Sequence, residues 1–282
     1  MKLTTKLGIG ALATAAAGWM FVDNRMLSVD KPEVKVKGLP AAFDGKKILH
    51  LSDLHRKRYG DRFNNLINTC AFLKPDYVFF TGDVMTRHET DLSPKLVFMK
   101  RLMSLGPVYF VPGNHETAAP DGRGHRLCRE IEELGVHMLI NRSEKITAGG
   151  ESVNIYGVEL PATHYYSDRG FRDLTPVTAD MLREYVGEPE QGRTNILLAH
   201  DPLPFEAYAE WGADLVFSGH IHGGIIRLPF VGGLLSPERK FFPKYSKGLY
   251  KSGDSQIVVS AGLGKFRMMN PSHILLVTLR QG

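Results

Sequence analysis

The chain has 282 residues, of which 43% are hydrophobic and 23% are charged. This apolar share excludes a disordered chain, and the length suits one large domain or two small ones. The net charge of +5 allows contact with anionic lipid or phosphate, but it is milder than that of a dedicated nucleic-acid binder. Two cysteines, Cys70 and Cys128, are too few for a disulfide scaffold or a cysteine-based metal site. We expect two buried thiols, with one disulfide as the alternative.

The N-terminus carries an uninterrupted apolar run over residues 7–22, preceded by Lys2 and Lys6. We predict an uncleaved signal-anchor over residues 1–24, although the run is slightly shorter than the about 17–25 residues of a typical membrane helix. The alternatives are a signal peptide cleaved near three consecutive alanines and an ordinary buried helix. The first two interpretations place the rest of the chain outside the cytoplasm, anchored in the cell membrane or secreted, because flanking lysines stay inside.

Residues 25–45 are predicted to form a tether that ends in an edge strand, because Val34 and Val36 alternate with lysines. Over residues 46–282, apolar strands alternate with amphipathic helices, which predicts a single α/β domain. We expect strands over residues 48–52, 77–81, 108–111, 136–140, 153–158, 195–199, 215–218, 257–261 and 274–279, and helices over residues 62–73, 93–103 and 124–134.

Polar side chains follow five of these predicted strands, at the point where each strand ends. They are carboxylates, amides and imidazoles, the ligands that hard and borderline divalent metals prefer. A spacing of two residues places both side chains of a pair on one face of an extended chain. Each motif alone is common in proteins that bind no metal, but five in one order at strand ends predict a metal site. The motif residues are Asp53 and His55, Asp83, Asn114 with His115 and Glu116, His200, and His220 with His222.

This ordered set resembles the signature of the calcineurin-like metallophosphoesterases over about residues 46–279. The chain also resembles the bacterial, membrane-associated YkuE/YaeI-type phosphodiesterase branch. The resemblance implies a four-layer α-β-β-α sandwich with the motif loops gathered at one edge. It also implies that His115 is a catalytic histidine outside the ligand set and that Glu116 orients it. The implied metal ligands are Asp53, His55 and His222 for one ion, Asn114, His200 and His220 for the other, and Asp83 for both.

The implied activity is hydrolysis of a phosphoester, most directly a phosphodiester. Two divalent ions about 3.5–4 Å apart can share a bridging hydroxide that attacks phosphorus, and Mn²⁺, Zn²⁺ and Fe all suit Asp, Asn and His ligands. The alternatives within enzymes are a phosphomonoesterase and a pyrophosphatase that acts on a lipid-linked nucleotide sugar. The alternative from another class is a non-catalytic binding protein on the same fold. Such a protein should have lost metal ligands or His115, and this chain retains them.

Two long segments outside the motifs are candidates for setting specificity. Residues 161–193 mix aromatic and charged side chains, and residues 227–251 interleave basic and aromatic ones. We expect Arg227 and Lys244 to bind substrate, as part of a rim that meets an anionic headgroup or a cell-envelope polymer. The alternative is a solvated loop with aromatic side chains packed beneath it. The expected partner is therefore a phosphoester, including lipid-linked ones, rather than nucleic acid.

Overall fold

The computed structural model describes residues 14, 18, 19, 21, 22, 25–228, 231–236, 240–264 and 268–282. Within this part of the chain the strands form two large sheets and one two-stranded ribbon. In chain order the strands are β1 (Leu27–Asp30), β2 (Glu33–Val36), β3 (Lys47–Leu51), β4 (Tyr77–Thr81), β5 (Val108–Val111), β6 (His137–Met138), β7 (Arg142–Ala148), β8 (Glu151–Val158), β9 (Asn195–Ala199), β10 (Leu215–Ser218), β11 (Ile226–Leu228), β12 (Gly232–Leu235), β13 (Gly248–Ser252), β14 (Ser255–Val259) and β15 (Ser272–Gln281).

Helices connect the strands, and local sequence explains where they begin and end. The Thr178 side chain caps the helix at residues 179–186 by accepting a hydrogen bond from the Met181 amide at 3.2 Å, and the helix stops at Gly187, whose φ is 79°. The α-helices of the described residues are α1 (Asn64–Phe72), α2 (Ser93–Leu102), α3 (Asn114–Thr117), α4 (Arg123–Glu133), α5 (Ala162–Tyr165), α6 (Ala179–Val186) and α7 (Phe205–Trp211), and short 3₁₀ turns lie at Ala41–Phe43, Asp61–Phe63, Met103–Leu105 and Pro120–Gly122.

The first sheet has the strand order β1-β15-β3-β4-β5-β6, and β2 also pairs with β15. Strands β3 to β6 are mutually parallel, whereas β15 runs antiparallel to β3. The second sheet has the order β13-β14-β10-β9-β8-β7, with a parallel centre formed by β8, β9, β10 and β14. Strands β11 and β12 form the separate antiparallel ribbon.

The two large sheets pack face to face, with helices on their outer faces. Alternate residues of β3 face opposite sides: Leu49 belongs to the core that includes residues of α1, α2 and α4, and Ile48 belongs to the core between the sheets. Phe79 and Phe217, one from each sheet, meet edge to face with ring centroids 5.1 Å apart. A third core lies between the second sheet and helices α6 and α7. The predicted four-layer α-β-β-α sandwich is therefore confirmed.

The parallel strands bring the predicted motifs to one edge of the sandwich. Neighbouring parallel strands end on the same side, so the loops that follow β3, β4 and β5 lie next to one another. The loops that follow β9 and β10 meet at the corresponding edge of the second sheet. A hydrogen bond joins the two sets, since the Thr81 carbonyl at the end of β4 accepts from the His200 ring after β9 at 2.6 Å. Within the first set, the Gly82 carbonyl accepts from the Asp53 amide at 2.9 Å.

All nine predicted strands and three predicted helices are present, with ends that differ by at most a few residues. The segment predicted as a tether is more ordered than expected. Val34 and Val36 lie on the predicted edge strand, but residues 27–30 form a second strand, and both strands pair in parallel with β15. This part of the segment therefore belongs to the first sheet.

The predicted signal-anchor over residues 1–24 falls outside the described residues, apart from five scattered positions. Among the residues that the structure does describe, no helix combines the length and the apolar character needed to cross a membrane. Both cysteines are free and buried, as the sequence predicted.

Candidate metal centre

Five of the seven predicted metal ligands adopt the left-handed backbone conformation, with φ between 50° and 65°. This conformation costs a residue with a side chain about 1–2 kcal/mol. Such residues cluster at functional sites, where the surrounding structure holds them in place. Their concentration here indicates that the loops are shaped by the positions their side chains must reach. The five residues are Asp53, His55, Asp83, His220 and His222.

Glycines allow these loops to approach one another closely. A β-carbon at Gly113 would clash with the Asp83 carboxylate, and one at Gly219 would clash with the Ser52 hydroxyl and the Asp53 carboxylate. Since packed loops shift only at a cost, alanine at either glycine would displace a predicted ligand. The glycines of the motifs are therefore part of the site's geometry.

Asp53, His55 and His222 form one potential metal-binding group, whose ligand atoms all lie within 4.8 Å of one another. Nδ1 of His222 is 3.5 Å from Oδ1 of Asp53, and the rings of His55 and His222 are 5.2 Å apart. Asp53 is fully buried, and the two histidines are partly exposed. These are the three residues predicted to share one ion.

Asp83, His200 and His220 form a second group that meets the same distance criterion. Nε2 of His200 lies 3.3 Å from Oδ2 of Asp83 and 3.2 Å from the side-chain oxygen of Asn114. The rings of His200 and His220 are 5.0 Å apart. The predicted second ligand set is thus assembled around His200. It consists of Asn114, His200 and His220, and Asp83 lies beside it.

Asp83 lies between the two groups. The Oδ2 atom that faces His200 is also 3.8 Å from Nε2 of His55. The Asp83 side chain is almost fully buried, and its Oδ1 atom accepts a hydrogen bond from the His115 amide at 2.8 Å. Oδ2 therefore points toward both groups while Oδ1 anchors the carboxylate, which is the arrangement that a shared ligand needs.

Hydrogen bonds set the ring nitrogen that each histidine presents to the cluster. Nδ1 of His200 lies 2.6 Å from the Thr81 carbonyl, and Nδ1 of His55 lies 3.3 Å from the Met85 carbonyl. A carbonyl only accepts, so each Nδ1 carries the proton and each Nε2 keeps its lone pair for a metal.

His115 has the opposite arrangement. Its Nδ1 accepts a hydrogen bond from the Arg87 amide at 2.8 Å, so the proton of the neutral ring lies on Nε2. Nε2 is 3.9 Å from Oδ2 of Asp83. Although His115 lies close enough to His55 and Asp83 to form a third potential group, this tautomer presents an N–H rather than a lone pair. The geometry thus fits the predicted role outside the ligand set.

The predicted role of Glu116 requires a correction. The Glu116 carboxylate accepts hydrogen bonds from the backbone amides of Asp83, Met85 and Gly113, at 2.7, 3.0 and 2.8 Å, whereas the Arg87 amide orients the His115 ring. Burial and the nearby Asp83 carboxylate raise the pKa of Glu116 to about 8, against these amide donors. Glu116 is therefore a positioning residue that joins two ligand loops.

The buried carboxylates of the cluster favour a bound cation. Burial raises the pKa of the Asp53 carboxyl. Burial also opposes charge on His200, yet the Asp83 and Asp53 carboxylates raise the pKa of its imidazole to about 10. A divalent ion would supply this positive charge in place of the proton, because metal ligands must be deprotonated. The donor set of carboxylates, imidazoles and an amide therefore fits a divalent metal.

A cavity of about 390 Å³ opens over the cluster and is lined by Asp83, Asn114, His115, His220 and His222. The ligand groups are thus accessible to a small phosphoester, although Asp53 and His200 lie buried beneath them. This accessibility distinguishes the centre from a buried structural metal site, which leaves no open coordination position.

Other walls of the cavity come from residues that the sequence did not single out. Tyr165 packs edge to face on His220, with ring centroids 5.2 Å apart. The Arg87 guanidinium lies 4.4 Å above the Tyr166 ring, and all four of these residues line the cavity, as does Phe171. Part of the segment over residues 161–193 therefore borders the centre. The sequence signal for this was the mixture of aromatic and charged side chains, for which the segment was predicted to set specificity.

Arg227 and Lys244, predicted to bind substrate, do not line the cavity over the cluster. They line a separate cavity of about 870 Å³. The Lys244 ammonium pairs with Glu206 at 2.9 Å, and the Arg227 guanidinium donates to the Gly223 carbonyl at 3.2 Å. Their predicted role in binding substrate as part of a rim therefore stays a prediction, and the structure places neither side chain at the cavity over the cluster.

Residues 46–224 match the family described as calcineurin-like phosphoesterase. The chain belongs to this family. It is 28% identical over 278 residues to the uncharacterized metallophosphoesterase YkuE of Bacillus subtilis (strain 168), across 93% of this chain and 88% of that protein. It is 24% identical over 270 residues to the phosphodiesterase YaeI of Escherichia coli (strain K12), with the same shares covered.

A further relative is the uncharacterized metallophosphoesterase YkoQ of Bacillus subtilis (strain 168), which is 29% identical over 245 residues, across 85% of this chain and 82% of that protein. As a calcineurin-like phosphoesterase, the chain is a hydrolase of phosphoester bonds in a family that uses divalent metals. The resemblance to this family and to the YkuE/YaeI-type branch is confirmed.

Proposed function

We propose that this calcineurin-like phosphoesterase is a phosphodiesterase with two divalent metal ions. The observation that carries the proposal is the pair of ligand groups that meet at Asp83. When bound, two such ions generate a nucleophile from water near neutral pH and neutralise charge on the phosphoryl oxygens. Mn²⁺, Zn²⁺ and Fe are all compatible with the oxygen and imidazole donors of the site.

His115 stabilises the departing oxygen of the leaving group in this proposal. Burial lowers the pKa of the His115 ring to about 4, so the ring is neutral near pH 7, and because the Arg87 amide occupies Nδ1 its proton lies on Nε2. The ring lines the cavity over the cluster, so a phosphoester held there places its departing oxygen within reach of this N–H. A hydrogen bond from Nε2 is most valuable for an alkoxide, on which more negative charge develops than on a nitrophenolate.

The name of one relative supports a diester over a monoester, since YaeI, similar over 93% of this chain, is named a phosphodiesterase. We further propose that the enzyme works at the outer face of the cell membrane, on phosphoesters that include lipid-linked ones. The support for this location is the apolar run over residues 7–22 and the lysines that precede it.

The experiment is a metal-reconstituted activity screen of the purified protein. Metal is removed, and Mn²⁺, Zn²⁺ or Fe²⁺ is returned before hydrolysis of a phosphodiester, a phosphomonoester and a pyrophosphate ester is measured. We expect the highest kcat/KM for the diester. Preference for the monoester or the pyrophosphate would replace the proposed activity with one of its two alternatives.

The same screen tests the shared ligand. Asp83→Asn should abolish hydrolysis and lower the metal content, because it removes the negative charge that lies between both groups. Asp254→Asn is the matched control, since Asp254 is exposed and pairs with Lys37. Two metals per chain and unchanged turnover in the Asp83→Asn variant would contradict a centre with two ions.

A further inference from the structure

An exposed apolar surface surrounds the larger cavity, away from the metal cluster. Of the side chains that line it, Trp19, Met26, Val231 and Phe242 are each more than half exposed, at 55%, 52%, 58% and 61%. Phe241, next to Phe242, is 70% exposed. Soluble monomeric proteins seldom leave large apolar side chains together in water unless the surface binds something. We call the surface formed by these five residues with Arg227 and Lys244 the docking face.

The charge of the docking face is positive. Arg227 and Lys244 line the cavity, and its described lining residues include no aspartate or glutamate. The Arg227 guanidinium is fixed by hydrogen bonds to the Gly223 carbonyl and the Ser246 hydroxyl, at 3.2 and 3.4 Å. Lys244 pairs with Glu206, but both side chains are more than half exposed, so the pair is weak and exchangeable. Aromatic and basic side chains side by side match the boundary of an anionic bilayer.

The position of the docking face in the chain favours the same partner. Trp19 lies within the apolar run over residues 7–22, and Met26 immediately precedes β1. A bilayer that holds this run would therefore lie beside the docking face. A second copy of the chain is a poorer fit, because a two-fold interface would bring Arg227 and Lys244 of each copy toward their own counterparts.

We propose that the docking face rests on the surface of an anionic lipid bilayer and fixes the orientation of the catalytic domain. Apart from Trp19, the residues of the docking face lie outside the anchor predicted over residues 1–24, so the contact extends beyond that anchor. The docking face is joined to the metal centre through one loop, because the Gly223 carbonyl that holds Arg227 directly follows the predicted ligand His222. The Asn270 side chain donates to the carbonyls of His222 and Gly224, at 2.5 and 2.8 Å, and fixes the same loop.

The test uses the full-length chain in vesicles, with an environment-sensitive fluorophore on Phe242→Cys. The native thiols Cys70 and Cys128 are buried and should not react. Phe72→Cys is the matched control, because Phe72 is an 83% exposed phenylalanine on α1 that does not line the cavity. Since interfacial residues lie roughly 5–10 Å into the headgroup boundary, vesicles carry a lipid brominated near the top of its acyl chains.

We expect blue-shifted emission and bromine quenching for the probe at Phe242→Cys, and neither for the probe at Phe72→Cys. Both signals should increase when phosphatidylglycerol replaces part of the phosphatidylcholine. Lys244→Glu in the labelled protein should reduce quenching, whereas Lys37→Glu, which alters an equally exposed ion pair elsewhere, should leave it unchanged. The readout requires no turnover, so it stands or fails independently of the proposed phosphodiesterase activity.

Equal quenching at the two labelled positions, or quenching at Phe242→Cys that does not respond to phosphatidylglycerol, would overturn the proposal. A blue shift that depends on the protein-to-lipid ratio at constant lipid composition would show instead that a second copy covers the face. A blue shift without bromine quenching, independent of that ratio, would show that the chain's own N-terminal segment covers it. Either result would also exclude the bilayer as the occupant.

Discussion

The histidines of the centre differ in the hydrogen bond that each Nδ1 makes. In His55 and His200, Nδ1 faces a backbone carbonyl, whereas in His115 it faces the amide of Arg87. The first arrangement leaves a lone pair on Nε2 and the second leaves a proton there. Residues of one type, in loops a few ångströms apart, therefore present a lone pair on Nε2 in two cases and an N–H in the third.

This difference predicts the behaviour of His115→Ala. The variant should keep its bound metal but hydrolyse esters roughly 10²–10³-fold more slowly, which is the usual effect of removing a hydrogen-bond donor from a developing negative charge. The loss of kcat should be smaller for a nitrophenyl ester than for an alkyl ester, because a nitrophenolate needs little stabilisation on departure. The measurement is kcat for both esters in the wild type and the variant, with metal content determined in parallel.

Two outcomes would revise the assignment of His115. Equal losses on the two esters would mean that the ring stabilises charge on the phosphoryl oxygens rather than on the leaving group. Metal loss from the variant would mean that His115 is a ligand, as its proximity to His55 and Asp83 permits.

At the scale of the structural elements, the Glu116 carboxylate joins helix α3 to the loop that follows β4. Glu116 in α3 accepts amide hydrogen bonds from its own turn, at Gly113, and from Asp83 and Met85 in the neighbouring loop. These amides belong to the ligand loops, and Glu116 is only 1% exposed. Water is therefore excluded from the hydrogen bonds that Glu116 accepts. The single side chain thus fixes where Asp83 lies relative to Asn114.

Glu116→Ala should therefore destabilise the protein and weaken metal binding together. Leaving buried amides without an acceptor costs about 1–3 kcal/mol for each group, so we expect the free energy of unfolding to fall by at least ~2 kcal/mol. Glu206→Ala is the control, because Glu206 also accepts hydrogen bonds from three side chains but is exposed. Urea unfolding measures both variants, and similar losses would show that burial of the network is unimportant.

The sequence predicted the elements that pattern alone can specify. Strands such as Tyr77–Thr81 and Asn195–Ala199 were placed to the residue because each is a short apolar run with a motif directly after it. The link from Glu116 to the Asp83 loop was not predictable in this way, since backbone amides leave no signature in sequence. Helix α6 was not predicted. Its buried residues Ala179, Leu182 and Val186 have helical spacing, but charged residues dominate the neighbouring sequence.

At the scale of the whole molecule, the first sheet includes the residues that follow the predicted anchor. Strands β1 and β2 pair with β15, and β1 begins at Leu27. Val34 and Val36 are buried in the core between the sheets. The folded domain therefore includes the residues from Leu27 onward, and we predict that residues 1–24 can be removed.

Deletion of residues 1–24 should give a soluble protein that keeps its metal and its activity, because both N-terminal strands and every predicted ligand are retained. Deletion of residues 1–36 should not fold, since it exposes the edge of β15 and removes Val34 and Val36 from the core. Circular dichroism and thermal unfolding compare the two truncations. Failure of the shorter deletion to fold would show that residues 1–24 are part of the core.

Acid should destabilise the sandwich through His50. Burial, with a smaller contribution from His273, lowers the pKa of His50 from 6.5 to about 3. The neutral ring donates or accepts one hydrogen bond with the Thr81 hydroxyl at 2.9 Å. The folded pKa is below the unfolded one, so this contribution to stability is complete above pH 6.5 and is lost as the pH falls toward 3.

One such group changes the free energy of unfolding by up to about 1.4 kcal/mol per pH unit in that window. In urea titrations between pH 7 and pH 5, His50→Leu should therefore show a shallower decline than the wild type. His88→Leu removes an exposed histidine and should leave the slope unchanged. An unchanged slope in the His50→Leu variant would mean that this ring is not the group that titrates.

Strand β15 delays assembly of the first sheet during synthesis. Strands β1, β2 and β3 all pair with the ten residues of β15, which are synthesised after every other strand of the two sheets. Until those residues appear, the first sheet lacks the strand that joins its N-terminal part to the rest, and the ligand loop after β3 has support on one side only. The metal centre therefore cannot reach its final geometry before β15 has been synthesised.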